Sequence, residues 1–511
     1  MKQKWLRQLL RRRFFVIISI LAQLGVIIYT AVSSSLASHL VSQGLTVLSL
    51  LVCLYIVSRR GTGAYKLSWI FMILLFPLFG GLLYLLFSFQ GTTKKFSKQA
   101  EKTEAKAKEL LPFPGTAEKT LLSELPDRRA QVQYLQHYAG FPVYADSETT
   151  YLSPGESKHD ILLEQLRKAQ HYIFLEYFII QEGLMWNAVL EILKEKAAQG
   201  VKVRVLYDDL GCFLTLPKNY DDVLKRLGIE CQVFNRFKPV LTAMQNNRDH
   251  RKIAVIDGKV AFTGGINLAD EYINVIEKYG HWKDASVMIR GKAAWSFTVM
   301  FLQMWELASG VDEDYAQYYP WVLTECPVKA PGYVQPYADS PMDTENVGEH
   351  VYLHMINTAK HYLYITTPYL IIDESMMSSL CLAAKSGVDV RIITPHKWDK
   401  RFVHMTTRSY YRDLIGAGVQ IYEYSRGFIH AKTFVSDDTA ATVGTTNLDY
   451  RSLYLSFECG ALMYQTDAVI QLKEDFLQTL EQCHRITEED YECGPIRRLF
   501  RDILRLFAPL M

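Results

Sequence analysis

The chain has 511 residues, enough for two or three domains of ordinary size, and its formal net charge at pH 7 is only +2. So small a charge excludes a global electrostatic field of the kind that attracts nucleic acid. The eight cysteines include no C-x-x-C pair, so neither a zinc pattern nor a disulfide scaffold is indicated, and a reducing compartment suits the globular part.

Residues 1–90 are predicted to form a membrane region. Residues 2–13 are basic, and Phe14–Val57 then contains no Asp, Glu, Lys or Arg. This apolar run is too long for one span of about 20 residues, so we predict a hairpin of two transmembrane helices that turns at Ser33–Ser35. The small residues around Ala37 leave a cleaved signal peptide as the alternative, but the further apolar segment that follows favours the hairpin.

That further segment, Leu67–Phe89, is interrupted by Pro77 and Gly80–Gly81. We predict a re-entrant or interfacial segment here, since a full span would place the cations that follow it outside the cell. The positive-inside rule then predicts a multi-pass membrane protein whose globular part is cytoplasmic; together with the family resemblance given below, this predicts the bacterial cell membrane.

Residues 91–131 are rich in Lys, Glu and Ala and predict a charged helical linker. An internal repeat follows it: Lys168–Leu175 matches Thr358–Ile365, and Gly200–Val205 matches Gly387–Ile392. Apolar strands alternate with helical patterns in both copies. We therefore predict the α/β class, with mixed β-sheets in two pseudo-symmetric halves at residues 132–325 and 326–493.

The motif His-x-Lys-x4-Asp occurs once in each half, and in both copies an Asn follows the His by 17 residues. The members are His250, Lys252, Asp257 and Asn267 in the first half, and His430, Lys432, Asp437 and Asn447 in the second. Residues two apart on a strand share a face, and an Asp-Gly pair marks a hairpin turn. One copy alone would be explained as a strand and a turn, but two matched copies indicate a functional site.

The doubled motif resembles the phospholipase D superfamily. Together with Gly264–Tyr272 and the apolar N-terminal module, it resembles the bacterial cardiolipin synthases, and the resemblance covers nearly the whole chain. Asp249 and Ser456 depart from it, since many members have Asn at these positions. The resemblance implies transfer of a phosphatidyl group between two phosphatidylglycerol molecules, which gives cardiolipin and glycerol.

The resemblance also implies a division of labour between the two histidines. One attacks phosphorus to form a phosphohistidine, and the other protonates the leaving alcohol and deprotonates the incoming one. We assign His250 as the nucleophile and His430 as the general acid/base, although a pseudo-symmetric site makes this a preference. Lys252 and Lys432 would hold the non-bridging oxygens.

Six further side chains are candidates for the site. The two asparagines could bind the same oxygens, the two motif aspartates could support the site or simply make turns, and the two glutamates that follow could orient a histidine or line the rim. These residues are Asn267, Asn447, Asp257, Asp437, Glu271 and Glu458.

This chemistry requires no metal or other cofactor, and the expected partners are phosphatidylglycerol and cardiolipin, without nucleic acid or any identifiable protein. The alternatives are another membrane phospholipase D-type enzyme, which hydrolyses the lipid or uses another alcohol, and an inactive membrane scaffold. Residues 494–511 predict a basic amphipathic helix, which could contact the membrane or dock on the protein core.

Overall fold

The structure is a computed structural model that describes residues 20–26, 28–30, 32–33, 35–59, 63–88, 91–111, 115–237, 243–319, 328–492 and 494–510. The chain forms two compact units. One contains Met1–Phe96, Phe237–Asn247 and Asp502–Met511, and the other contains Ser97–Arg236 and Arg248–Arg501.

The N-terminal unit contains the helices Leu36–Ser58, Gly63–Leu75 and Pro77–Ser88. Within the part of the chain that the structure describes, Leu36–Ser58 is the one helix that is long and apolar enough to cross a membrane. Ser35 caps it by accepting a hydrogen bond from the Ser38 amide, so this helix begins directly after Ser35. The start of the predicted first span, at Phe14, lies outside the described residues.

The predicted third segment consists of two helices, because Pro77 starts a new helix after Leu75. Their close approach depends on Gly80, where a Cβ atom would lie 2.8 Å from the Met72 carbonyl oxygen. Trp69 packs edge-on against Tyr84 at 5.3 Å between ring centroids and joins the two helices.

The last residues of the chain belong to this same unit. The hydroxyl of Ser68 donates to the carbonyl oxygen of Leu506 at 2.7 Å, and the rings of Phe71 and Phe507 lie 5.6 Å apart. The end of the predicted amphipathic helix, observed at Pro495–Leu506, is therefore held against apolar helices. Its beginning is not covered in this way, since Ile496 is 85% exposed.

The residues of the predicted linker form the helices Gly91–Glu109, Gly115–Glu124 and Arg129–Gln133. Arg128 is buried and donates to the hydroxyls of Thr358 and Ser436, at 2.5 and 2.9 Å. This stretch therefore packs on the second half.

The first half contains strands that run from Ser147 to Gly291. They are β1 (Ser147–Leu152), β2 (Tyr172–Tyr177), β3 (Lys202–Asp208), β4 (Glu230–Phe234), β5 (Arg248–Asp249), β6 (Lys252–Ile256), β7 (Val260–Gly264), β8 (His281–Lys283) and β9 (Ser286–Gly291). The accompanying helices are Gly155–Arg167, Leu184–Ala198, Tyr220–Arg226 and Ala294–Ser309.

The second half repeats this pattern. Its strands are β10 (Tyr333–Asp339), β11 (Tyr362–Thr366), β12 (Leu370–Ile371), β13 (Asp389–Pro395), β14 (Gln420–Tyr424), β15 (Gly427–Ile429), β16 (Thr433–Ser436), β17 (Ala440–Gly444), β18 (Leu448–Asp449), β19 (Ser456–Tyr464) and β20 (Cys483–Arg485). Its helices are Val347–Thr358, Glu374–Lys385, Arg401–Gly416, Tyr450–Tyr454, Asp467–Leu480 and Glu488–Tyr491.

The two main sheets have equivalent strand orders over seven strands, and the second sheet has β20 in addition. The first runs β1-β9-β7-β6-β2-β3-β4, and the second runs β10-β19-β17-β16-β11-β13-β14-β20. Three strands are parallel to one another in each sheet, and those that carry the motif hairpins, β6–β7 and β16–β17, are antiparallel to their neighbours. The predicted α/β class with mixed sheets is confirmed.

Candidate active site

Short strands exchanged between the halves bring the two motifs together. β5 of the first half pairs with β19, and β15 of the second half pairs with β8. The backbone N–H of His250 then donates to the Phe457 carbonyl oxygen at 3.0 Å, and that of His430 donates to the Lys283 carbonyl oxygen at 2.7 Å. The backbone of each histidine is thus anchored to the other half. The residue that accepts this hydrogen bond is followed directly by a carboxylate, Glu458 or Asp284.

Those carboxylates are the hydrogen-bond partners of the imidazoles. Nδ1 of His250 lies 2.9 and 3.0 Å from the two oxygens of Glu458, and Nδ1 of His430 lies 2.7 Å from Oδ2 of Asp284. Both carboxylates are completely buried. A carboxylate that accepts from Nδ1–H leaves the Nε2 lone pair of each ring available for chemistry.

The two carboxylates differ in charge state. Burial raises the pKa of Glu458 to about 7. Burial also disfavours the ionised form of Asp284, but the charges of His430 and Lys432 outweigh it and lower the pKa of that carboxyl. His430 therefore has an ionised partner at neutral pH, whereas Glu458 beside His250 titrates in that range.

The two motif lysines are buried within the same site. Nζ of Lys252 donates to the carbonyl oxygen of His250 at 2.5 Å, and Lys432 makes the equivalent contact with His430. Burial lowers the pKa of Lys252 to about 8 and that of Lys432 to about 7.

The histidines also have lowered pKa values. Burial and then the charges of Lys252 and Lys432 hold the pKa of His250 well below its usual range. Burial, Lys432 and Lys252 lower the pKa of His430 to about 4. Each lysine thus acts on the histidine of the other motif as well as on its own, so the four side chains form one site. Such a site can bind an anion and supply a nucleophile and a proton donor to it.

The motif aspartates lie at the opposite ends of their strands from the histidines. Asp257 and Asp437 occupy left-handed turn positions, with φ of 53° and 55°. The carboxylate of Asp257 accepts the backbone N–H groups of residues 170–172, and that of Asp437 accepts those of residues 360–362. The structure does not bring them to the imidazoles, and their contacts correspond to the turn-forming interpretation.

The two asparagines position loops around the site. Asn267 accepts from the Ile179 amide at 2.9 Å and donates to the Tyr272 hydroxyl at 2.7 Å. Asn447 donates to the hydroxyl of Ser452 at 3.1 Å. Aromatic rings complete the walls, with Phe178 at 5.1 Å from the ring of His250 and Trp282 at 5.2 Å from that of His430.

The structure separates the roles of the candidate glutamates. Glu458 orients His250, as one of the two interpretations anticipated. Glu271 lies 3.5 Å from the ammonium of Lys278 instead, and Asp284 takes the equivalent place beside His430. Asp284 could not be found by matching the two halves of the sequence. It follows His250, the histidine of its own half, by 34 residues, whereas Glu458 follows His430 by 28. The usable signal was its position just before β9, the counterpart of β19.

Comparison with known proteins agrees with this geometry. The family model described as cardiolipin synthase, PLD-like domain, matches residues 162–305 and 352–480, and the model described as phospholipase D-nuclease N-terminal matches residues 44–88. The chain belongs to the cardiolipin synthase family of phospholipase D-like proteins. The prediction of two phospholipase D-like halves is thereby confirmed.

Relatives in this family resemble the chain over most of its length. A cardiolipin synthase of Geobacillus kaustophilus is 35% identical over 90% of this chain and 91% of its own length, and one of Alkalihalophilus pseudofirmus is 35% identical over 91% and 92%. An uncharacterized protein of Streptococcus mutans is 44% identical over 90% of this chain and 99% of its own.

A solved structure supports the fold. The phosphatidylserine synthase of Haemophilus influenzae superposes with a TM-score of 0.56 at 15% identity, and the match covers 74% of this chain and 98% of that one. The family membership makes this protein a phosphatidyltransferase that acts on phospholipids, and its N-terminal region makes it membrane-associated.

Proposed function

We propose that the protein is a cardiolipin synthase that transfers a phosphatidyl group from one phosphatidylglycerol to a hydroxyl of another through a phosphohistidine. The observation that carries this proposal is the crossed pairing of each motif histidine with a buried carboxylate of the other half. This pairing orients two imidazoles in a site that also contains the two buried motif lysines.

In the first step, Nε2 of His250 attacks phosphorus and the bond from phosphorus to the glycerol oxygen breaks, with a proton from Nε2 of His430. In the second step, His430 takes the proton of the acceptor hydroxyl, whose oxygen attacks phosphorus and releases His250. Lys252 and Lys432 balance the charge on the non-bridging oxygens in both steps, so the scheme requires no metal or cofactor.

The different charge states of the carboxylates support this division of roles. An imidazole must carry a positive charge before it acts as a general acid at Nε2, and the ionised Asp284 stabilises that form of His430. A nucleophilic imidazole must be neutral, which suits His250 beside Glu458 with its pKa of about 7. The bound phosphate would offset the lysine charges that depress the pKa of His430.

The catalytic unit has apolar side chains suited to a lipid surface. They lie on two loops and around the start of the helix Arg401–Gly416, and they are well exposed: Leu210, Phe213, Leu214, Val275, Ile276, Trp398 and Phe402. The first loop adjoins Phe178, which contacts His250, and the second follows Tyr272, whose ring lies 5.6 Å from that of His430. We propose that this rim enters the bilayer surface, since apolar groups on a soluble surface are otherwise rarely gathered in this way.

The topology that we propose keeps the N-terminal hairpin and the interfacial third segment, with the catalytic part in the cytoplasm. The helix Leu36–Ser58, with a mean hydropathy of 2.2, supports one of the two spans. The proposed segments remain residues 1–90, 91–131, 132–325, 326–493 and 494–511.

With phosphatidylglycerol as the sole lipid, the purified protein should form cardiolipin and free glycerol in equal amounts. One phosphodiester is broken and a similar one formed, so no nucleotide-activated lipid is required. Lipid chromatography and an enzymatic glycerol assay measure the two products, with the doubly substituted variant His250→Ala/His430→Ala as the blank. Phosphatidic acid as the main product, or a requirement for a cytidine-activated lipid, would contradict the proposal.

The activity should decrease as the pH rises above neutral. The lysines must be charged to bind a phosphodiester, and their lowered pKa values of about 7 and about 8 mean that both lose their protons as pH rises through this range. The histidines stay neutral well below pH 6.5. We expect kcat/KM to fall at least about tenfold between pH 8 and pH 9 if both lysines are needed. A flat profile to pH 9 would show that the lysine charges do not bind substrate.

A further inference from the structure

A second set of polar side chains adjoins the site but takes no part in the chemistry above. Tyr369 directly precedes β12, which pairs with β18, and β18 begins immediately after Asn447 of the second motif. Tyr369 also packs against the apolar cluster that contains Tyr272 and Trp282, the rings beside His430. Its position is therefore set by the same elements that shape the pocket of His430.

Tyr369 organises the two residues that precede the helix Arg401–Gly416. Its hydroxyl donates to Oδ2 of Asp399 at 2.6 Å, and the ammonium of Lys400 lies 5.1 Å from the centroid of its ring. The ring thus fixes an acidic and a basic group side by side. A cation above an aromatic face is attracted to it without being neutralised.

The ammonium of Lys400 is available to an anion. Lys400 is exposed, and within the described part of the chain its ammonium forms no direct hydrogen bond or ion pair, although its charge acts on the buried carboxylate of Asp449. Lys278, in contrast, is near Glu271, at 3.5 Å. The charge of Lys400 also lowers the pKa of His250, which places it near the reacting groups without contact to them.

The proposed reaction leaves one anion without a partner. The phosphate that reacts is matched by Lys252 and Lys432, but an acceptor phosphatidylglycerol carries a phosphate of its own, one glycerol away from its attacking hydroxyl. The acceptor headgroup also carries a secondary hydroxyl that needs a hydrogen-bond acceptor. The ammonium of Lys400 and the carboxylate of Asp399 match a headgroup that has both a phosphate and a hydroxyl. An anion without a hydroxyl would be repelled by Asp399.

We propose that Lys400 and Asp399, held by Tyr369, form the subsite for the acceptor lipid, with Lys400 on its phosphate and Asp399 on its secondary hydroxyl. This proposal rests on the proposed function and assigns acceptor choice to these residues. It makes the enzyme favour an anionic glycerophospholipid over water or a small alcohol as the acceptor.

The test is a competition for the phosphohistidine between two acceptors. The full-length protein is given phosphatidylglycerol vesicles with added ethanol, and the ratio of cardiolipin to phosphatidylethanol is measured. Lys400→Gln should lower this ratio about tenfold, the effect of losing a hydrogen bond to a charged group. Lys400→Arg should keep most of it. The matched control is Lys397→Gln. Lys397 is an exposed lysine of the same loop, but its ammonium lies next to Gly280 and not over the ring of Tyr369.

An unchanged ratio in Lys400→Gln, or an equal fall in Lys397→Gln, would overturn the subsite, since the second result would reflect general attraction of the lipid surface. Lys400 is exposed, and an unchanged thermal transition would show that the variant is folded. Failure of the proposed function has a different signature: the unsubstituted enzyme would make phosphatidylethanol but no cardiolipin, which would remove both the acceptor and its subsite.

Discussion

Replacement of either His250 or His430 by alanine is expected to reduce turnover of phosphatidylglycerol by at least about a hundredfold, the low end for the loss of a general acid or base. The reason is that the two imidazoles do different work in the same site and each acts on every turnover. A site with one sufficient motif would keep substantial activity when the other histidine is lost. His361→Ala is the matched control, because His361 is an exposed histidine whose backbone, not its ring, binds Asp437.

The two variants should also differ from each other. A phosphatidyl ester of nitrophenol has a leaving group that departs without a proton, so it needs the nucleophile but not the acid. We expect release of nitrophenolate to recover in His430→Ala as a burst of about one equivalent per site, because the second step still lacks its general base, and to stay absent in His250→Ala. Recovery in His250→Ala alone would exchange the two roles, and near-normal turnover of phosphatidylglycerol in either variant would contradict the two-motif site.

Asp284→Asn is expected to lower turnover by up to about 10⁴-fold, the loss seen when the carboxylate that orients a catalytic imidazole is neutralised. The amide keeps the shape but loses the charge that stabilises the protonated form of His430. Glu458→Gln should have a smaller effect, since burial already raises the pKa of Glu458 to about 7. Glu271→Gln serves as the control, because Glu271 is a nearby carboxylate paired with Lys278 rather than with an imidazole.

A positioning role predicts a change that simple loss of packing would not produce. The charge of Asp284 raises the pKa of His430, so Asp284→Asn should lower the pKa of this imidazole further. Titration of the histidine ring followed by NMR measures the shift. If turnover falls and the His430 titration is unchanged, Asp284 contributes through packing and not through its charge.

Local features of the site could be predicted from the sequence. Lys252 begins the strand that the apolar run predicts, whereas His250 lies between β5 and β6, and Asp257 with Gly258 makes the turn that this residue pair favours. The order of helices and strands in each half was also predictable, since apolar periodicity and the internal repeat are both local properties of the chain.

The crossed contacts could not be predicted in this way. β5 and β8 contain only two and three residues, and they pair with strands far away in the chain, so no periodic pattern marks them. Asp284 is a partner of His430 because β8 pairs with β15. The number of residues between Asp284 and the first motif also differs from the number between Glu458 and the second motif. Asp249 and Ser456, which depart from the family pattern, lie on β5 and β19, which pair with each other. The sequence alone does not show that these two residues lie on paired strands.

The exchange of strands also governs when activity can appear during biosynthesis. The first half is complete long before Glu458 leaves the ribosome, and until then His250 lacks both the carbonyl group that anchors its backbone and the carboxylate that orients its ring. A nascent or proteolytically shortened chain therefore has no partly competent site that could cleave lipids without control. Both histidines are oriented only after β19 of the second half has paired with β5 of the first, and β15 with β8.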